Sequence, residues 1–294
     1  MKFFPGFRSA DITVDDGCAI HAAIGGSGPP VLLLHGYPQT HLCWHKVAPK
    51  LAEQFTVVAA DLRGYGDSAK PDGGPNHTNY SKQRMAADMA NVMASLGFSE
   101  FSAAGHDRGG RVVQRLAQDY PERLKRIAVL DIIPMTLEPE MFRKVDARFG
   151  QDTYHWFFLS QPHDLPERLI GSNPAFFLRW TLESWSATPG WLSGDVFNEY
   201  LRTFGTSETI HATCEDYRAG VTADTVTPPR GRIACPVLSI WGAASKFGPR
   251  FDPIQYWRTQ ADTVEGVEVP GGHFIAEESP DEVTQALIGW FSRT

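Results

Sequence analysis

The segment Gly105-His106-Asp107-Arg108-Gly109-Gly110 constrains this chain more than any other. It follows an apolar run of strand character, Phe101–His106, and precedes a stretch from Arg108 to Tyr120 that reads as a helix running into Pro121. A strand that passes into a helix through small residues makes a strained turn, the nucleophile elbow, which projects one side chain. Here that side chain is Asp107. A serine attacking an sp³ carbon would leave an ether, which water does not readily cleave. A carboxylate leaves an ester, which an activated water hydrolyses. An aspartate at this corner therefore points to displacement at saturated carbon, meaning dehalogenation or epoxide opening. The competing reading is an Asp that merely caps the helix from Arg108.

The rest of the chain supplies the frame. Short apolar or β-branched runs alternate with amphipathic segments, the pattern of a mostly parallel sheet wrapped by helices. Strands are expected over 11–14, 18–23, 30–35, 55–61, Phe101–His106, 127–131, 236–241 and Val264–Val269. A helix is expected from Ser81 to Leu96, with Met85, Met89, Val92 and Leu96 on one side and Gly97 as its stop. From residue 134 to 228 the sequence is rich in aromatics, among them Trp156, Phe157, Trp180, Trp185 and Trp191, and lacks strand-like alternation. It reads as an inserted helical cap closed off by Pro228-Pro229-Arg230-Gly231, leaving 1–133 and 229–294 as the core. Ser279-Pro280-Asp281-Glu282 reads as a capping box that starts a final helix.

Composition excludes several classes of function. At 294 residues with a net charge of −7, the chain is a poor partner for nucleic acid or anionic membrane. Its longest apolar runs are too short to span a bilayer, and no signal peptide is evident. The four cysteines, Cys18, Cys43, Cys214 and Cys235, are scattered without C-x-x-C spacing, which indicates reduced thiols in a cytoplasmic protein.

The elbow needs partners. Pro270-Gly271-Gly272-His273-Phe274 follows the last strand and offers His273 as the general base that activates water toward the Asp107 carboxyl carbon. The acid that orients this histidine usually follows the strand at 236–241. The loop there, Gly242-Ala243-Ala244-Ser245-Lys246, has no carboxylate before Asp252. The neighbouring strand ends in Asp131, which can occupy equivalent space. Asp131 is the first choice and Asp252 its rival. His35-Gly36-Tyr37-Pro38 ends an earlier strand, and the amides of Tyr37 and Arg108 are assigned to an oxyanion hole. The turn Asp61 to Ser68 reads as structural.

These motifs resemble the fluoroacetate (haloacetate) dehalogenases of the α/β-hydrolase superfamily, from about residue 5 to the C-terminus. The resemblance is carried by His35 to Thr40 with Trp44-His45, Asp61 to Ser68, Gly105 to Arg111, Leu130-Asp131-Ile132, Tyr154-His155-Trp156-Phe157 and Gly271 to Phe274. It implies an α/β-hydrolase fold with a mostly parallel eight-stranded sheet, helices on both faces and the inserted cap. It further implies that Arg108 and Arg111, three apart on a helix, grip a haloacetate carboxylate. His155, Trp156 and Tyr217 would donate hydrogen bonds to the departing halide. Asp107 would attack the α-carbon opposite the halide, and His273 with Asp131 would release glycolate, with inversion at a chiral centre. No metal or organic cofactor is required, the partner is a small haloacid, and a homodimer is expected. The main alternative is an epoxide hydrolase with Tyr154 and Tyr217 as its tyrosine pair. Haloalkane dehalogenases and a receptor-like, non-catalytic member leave the arginines or the full catalytic set unexplained.

Overall fold

Eight strands form where eight are expected, and they hydrogen-bond into one sheet in the order β1-β2-β4-β3-β5-β6-β7-β8. The structure is a computed structural model and describes residues 2–135, 146–229, 231–246 and 250–293. The strands are β1 Arg8–Thr13, β2 Ala19–Gly25, β3 Pro30–Leu34, β4 Thr56–Ala60, β5 Phe101–His106, β6 Leu124–Leu130, β7 Val237–Gly242 and β8 Val264–Val269. β2 runs antiparallel to both β1 and β4, and every other pairing is parallel. β1 starts earlier than the apolar pattern indicates. Arg8 and Ser9 pair with Ile24 and Ala23, and main-chain hydrogen bonding extends an edge strand through polar residues that carry no hydrophobic signal.

All six residues of β5 are buried, so the sheet is covered on both faces at its centre. Two groups of helices supply the cover. Helices α2 (Lys82–Ser95) and α3 (Arg108–Asp119) pack on each other, with α3 against β5 and β6, while α1 (Ala48–Leu51) packs with the final helix, Pro280–Phe291. The ends of α2 follow from local chemistry. Ser81 caps it by accepting a hydrogen bond from the Arg84 amide at 3.1 Å, and Gly97 leaves it at φ +87°.

The final helix departs from expectation. Proline does occupy its first position, but Ser279 makes no side-chain cap. Its hydroxyl donates instead to the Pro270 carbonyl at 2.5 Å, tying the helix start to the loop that carries His273. The capping box is therefore absent, because a closer acceptor takes the serine.

Between β6 and β7 the described residues form helices and no strand: Ala147–Asp152, Tyr154–Leu159, Leu165–Ser172, Pro174–Trp185, Gly194–Phe204, Ser207–Val221 and Ala223–Val226. Asp146, Asn173, Ser193 and Thr206 each cap one of them by accepting an amide N–H. Residues 136–145 and Arg230, which belong to the expected limits of the cap, lie outside the described residues. No helix among the described residues is long and apolar enough to cross a membrane.

Register sets where chemistry can gather. Leu34 pairs with Gly105, His106 with Leu130, Leu130 with Ile240, and Gly242 with Val269. The carboxyl ends of five adjacent strands thus finish at similar heights, and the residues just beyond them share one crevice.

Candidate active site

Asp107 sits at φ +45°, ψ −115°, between β5 and α3. A non-glycine residue in such a conformation costs about 1–3 kcal/mol and persists only where the surroundings enforce it. Close packing enforces it here. A Cβ on Gly105 would lie 2.3 Å from the Gly109 carbonyl, and one on Gly109 would lie 2.4 Å from the His35 carbonyl. The capping alternative fails on geometry, since the Asp107 side chain makes no cap hydrogen bond to its helix. Its Oδ2 accepts the Tyr37 amide at 3.0 Å. Gly36 permits that approach, because a Cβ there would stand 2.5 Å from the Asp107 Cβ. Burial pushes the Asp107 pKa up, but attraction to His273, His106, Arg108 and Arg111 outweighs it, and the carboxyl ends below its ordinary value.

His273 and Asp131 meet as expected. His273 Nδ1 donates to Asp131 Oδ2 at 2.6 Å, which leaves Nε2 as the acceptor of the neutral ring. Asp131, itself at φ +47°, is fixed by its amide on the Ile240 carbonyl at 2.8 Å. The rival acid is engaged elsewhere, for Asp252 caps Pro253–Arg258 by accepting the Gln255 amide at 3.0 Å. The His273 main chain is pinned on both sides, its amide on the Trp185 carbonyl at 2.9 Å and its carbonyl under His106 Nε2 at 2.7 Å. The preceding glycines serve shape rather than flexibility. Gly271 takes φ +106°, and a Cβ on Gly272 would meet the Ala187 nitrogen at 2.6 Å. Burial pulls the His273 pKa down, yet Asp131 and then Asp107 more than compensate and raise it.

The two arginines are buried beside Asp107 but are not equivalent. Arg108 is clamped by Asp216, through Nε to Oδ2 at 2.9 Å and through Nη2 to Oδ1 at 2.6 Å and to the main-chain carbonyl at 2.7 Å. Asp216 is fully buried and also accepts from Lys82 and, at 2.7 Å, from the Tyr65 hydroxyl. The structure thus brings both arginines expected to hold a carboxylate next to Asp107, and two of the Arg108 nitrogens already serve Asp216. Asp216 was missed from sequence, although it immediately precedes Tyr217. Nothing local distinguishes a buried clamp from one more helical carboxylate. Arg111 lies 5.5 Å from the Trp156 ring centroid, and burial together with the Arg108 charge brings its pKa down to about 10.

The remaining expected residues gather around the same space. Asp107, His155, Trp156, Trp185 and His273 line a cavity that gives about 20 Å³ to the centres of water-sized molecules, with Asp152 and Lys246 at its rim. That is room for roughly one water. His155 is kept neutral by burial, which drives its pKa well below 6.5, and its Nδ1 has no hydrogen-bond partner among the described residues. Tyr217 packs edge-on to Tyr37 and His155 and lies beneath the Arg108 guanidinium at 4.3 Å. Burial and then the Asp107 charge hold its phenol protonated. Trp185 also went unassigned from sequence. It packs on His155 at 4.3 Å and on His273 at 5.5 Å, contacts that only the tertiary fold creates.

The Asp216 clamp yields a stability prediction. Removing one partner of a buried ion pair strands the other charge and costs about 3–5 kcal/mol. Asp216→Asn should therefore lower the unfolding free energy by that order in urea titration, and an unchanged midpoint would show that Arg108 and Lys82 do not depend on it.

The α/β hydrolase fold family model matches residues 29–280. A fluoroacetate dehalogenase from a Burkholderia species is 41% identical over 98% of this chain and 95% of its own length. A soluble epoxide hydrolase from Corynebacterium sp. (strain C12) is 33% identical over 94% of this chain and 95% of its own. A crystal structure described as a putative α/β hydrolase from Nostoc sp. PCC 7120 superposes with a TM-score of 0.92 at 46% identity, covering 98% of this chain and 99% of that one. With the elbow, the sheet order and these matches in agreement, the chain belongs to the α/β-hydrolase fold family, in the company of fluoroacetate dehalogenase.

Proposed function

We propose that this hydrolase cleaves the carbon–halogen bond of haloacetates, releasing glycolate and halide through an ester on Asp107. The carrying observation is the pair of buried guanidinium groups beside the nucleophile. Arg108 is paired with Asp216, which it shares with Lys82. Arg111 is buried in the same place, three residues further along the helix. A substrate carboxylate reaching them would meet charge-assisted donors, and neither an epoxide nor a haloalkane brings one.

In this reading Asp107 attacks the α-carbon and the carbon–halogen electron pair leaves with the halide. Neutral donors suit the leaving ion: the His155 imidazole, the Trp156 indole and the Tyr217 hydroxyl. His273 Nε2 then takes a proton from water as the hydroxide adds to the Asp107 carboxyl carbon. The Tyr37 amide, already 3.0 Å from Oδ2, stabilises the resulting oxyanion together with the Arg108 amide. Collapse expels glycolate, whose oxygen takes the proton from His273, and loss of one proton to solvent restores the Asp107 carboxylate. Ester formation also removes the Asp107 charge that helps to raise the His273 pKa. The histidine thereby becomes a better holder of its free lone pair at the step that needs it.

Epoxide opening remains the second reading, favoured by the relative of that activity. The tyrosine pair it requires counts against it. Tyr154 packs edge-on to Trp180 and stacks on Phe158, and His155 takes the cavity-lining place instead.

We also assign the protein to a reducing, cytoplasmic setting, in keeping with four buried free cysteines, and to a homodimer. Leu165 and Leu169 on one helix, and Phe176 and Trp180 on the next, are exposed apolar residues at four-residue spacing on two touching helices. Sedimentation velocity should give a dimer for the parent and a monomer for Phe176→Asp.

Incubated with fluoroacetate or chloroacetate, His273→Asn should accumulate a carboxymethyl ester on the peptide carrying residue 107, and Asp107→Asn should accumulate none. Solvent ¹⁸O should enter the Asp107 side chain during turnover of the parent. Parent protein that shows neither label nor halide release, yet consumes a neutral epoxide, reverses the assignment.

The pH dependence has a definite sign. A raised pKa keeps His273 protonated, and unable to act as base, to a higher pH in the free enzyme. Ester breakdown should therefore quicken as pH rises through the His273 pKa. Its acid limb should lie below the pH at which NMR sees His273 titrate in the free enzyme, because the Asp107 charge is gone in the ester.

A further inference from the structure

Two charged residues with no part in the proposed bond-breaking line the same cavity as Asp107 and His273. Lys246 stands four residues beyond β7, and Asp152 ends the helix Ala147–Asp152 in the segment between β6 and β7. Lys246 Nζ and Asp152 Oδ1 are 3.8 Å apart, within ion-pair range but too long for a hydrogen bond. Their side chains are 29% and 15% exposed, whereas Asp107, His155 and His273 are buried. The pair therefore marks the outer end of the cavity. Trp185 bridges inward from it, with Lys246 Nζ 5.9 Å from its ring centroid and His155 and His273 against that ring. On its solvent side Asp152 also accepts from Arg148, an exposed i,i+4 neighbour on the same helix, at 3.1 Å.

We propose that Lys246 is a specificity-determining residue that draws the carboxylate of an anionic substrate into the cavity, with Asp152 as the counter-ion the substrate displaces. The proposal rests on the haloacid reading. A protein of net charge −7 repels a haloacetate on average. Salt screens that repulsion beyond about 8 Å, so a charge at the mouth decides capture. Low-dielectric walls focus its field into the cleft. The long Lys246–Asp152 contact is a loose hold, which an incoming carboxylate can exchange before moving on to Arg108 and Arg111. Asp152 in turn keeps the mouth from retaining anions. A neutral substrate gains nothing from this arrangement.

The test is the KM for chloroacetate, from chloride release by the full-length protein, at low and high ionic strength. Lys246→Met should raise KM about tenfold at low salt and flatten its salt dependence, the lower end of what focused charge contributes. Lys246→Arg should restore the parent value, and Asp152→Asn should lower KM. The opposite signs are decisive, because a merely structural tie would suffer alike from loss of either partner. An unchanged KM in Lys246→Met, or a rise in both Lys246→Met and Asp152→Asn, overturns the assignment of the mouth alone. Parent protein that releases no chloride overturns the haloacid reading and this proposal with it.

Discussion

The structure turns on one buried carboxylate kept ionised at a strained corner. A carboxylate taken out of water reverts to its acid unless charge and hydrogen bonds replace the solvent. Around Asp107 that replacement comes from the Tyr37 amide and from the positive charge of His273, Arg108 and Arg111. These groups come from three strand ends, Tyr37 after β3, Arg108 and Arg111 after β5 and His273 after β8, which is why the sheet order and register matter. Those strands must finish level for residues from 37 to 273 to converge on a single side chain.

The arginines show how the molecule places positive charge in its interior. Arg108, Lys82 and Asp216 form a closed buried group, fixed further by the Tyr65 hydroxyl. The group joins the start of α2, the start of α3 and the helix Ser207–Val221, so the clamp on Arg108 also ties the helical segment to the sheet. Arg111 stands outside that closed group. Burial and the neighbouring Arg108 charge bring its pKa down to about 10.

Much of this was legible in the sequence, and the reasons are local. The strands of the central sheet are read directly because both faces are buried and their residues are uniformly apolar. Asp107 is legible because strained turns demand glycine at fixed offsets, and His273 because a glycine pair follows a strand. Asp131 required more, namely the absence of a carboxylate after β7 and the presence of one at the neighbouring strand end. The structure brings it to 2.6 Å from the imidazole. Other residues were illegible for an equally physical reason. Asp216, Trp185 and the Lys246–Asp152 pair acquire their meaning from partners dozens of residues away, and no spacing rule encodes those distances. Ser279 misled because its capping signature is a local preference, and a tertiary acceptor, the Pro270 carbonyl, won the competition.

In the proposed reaction the net charge within the cavity does not change. One negative charge leaves Asp107 and reappears on the halide, while the substrate carboxylate stays fixed on the arginines. Such a site gains little from adding charge and much from placing neutral dipoles at both ends of the path. The observed arrangement matches that requirement. The Tyr37 amide stands at the Asp107 end, and His155, held neutral by burial, lines the cavity at the other. An imidazolium at position 155 would bind the halide ion too firmly to release it and would compete with the arginines for the substrate carboxylate. Burial of His155 among Trp185, Trp156 and Tyr217 is thus a chemical device, setting protonation as well as shape. In that reaction the aromatic density that first marked this stretch of sequence would keep a titratable ring as a neutral donor.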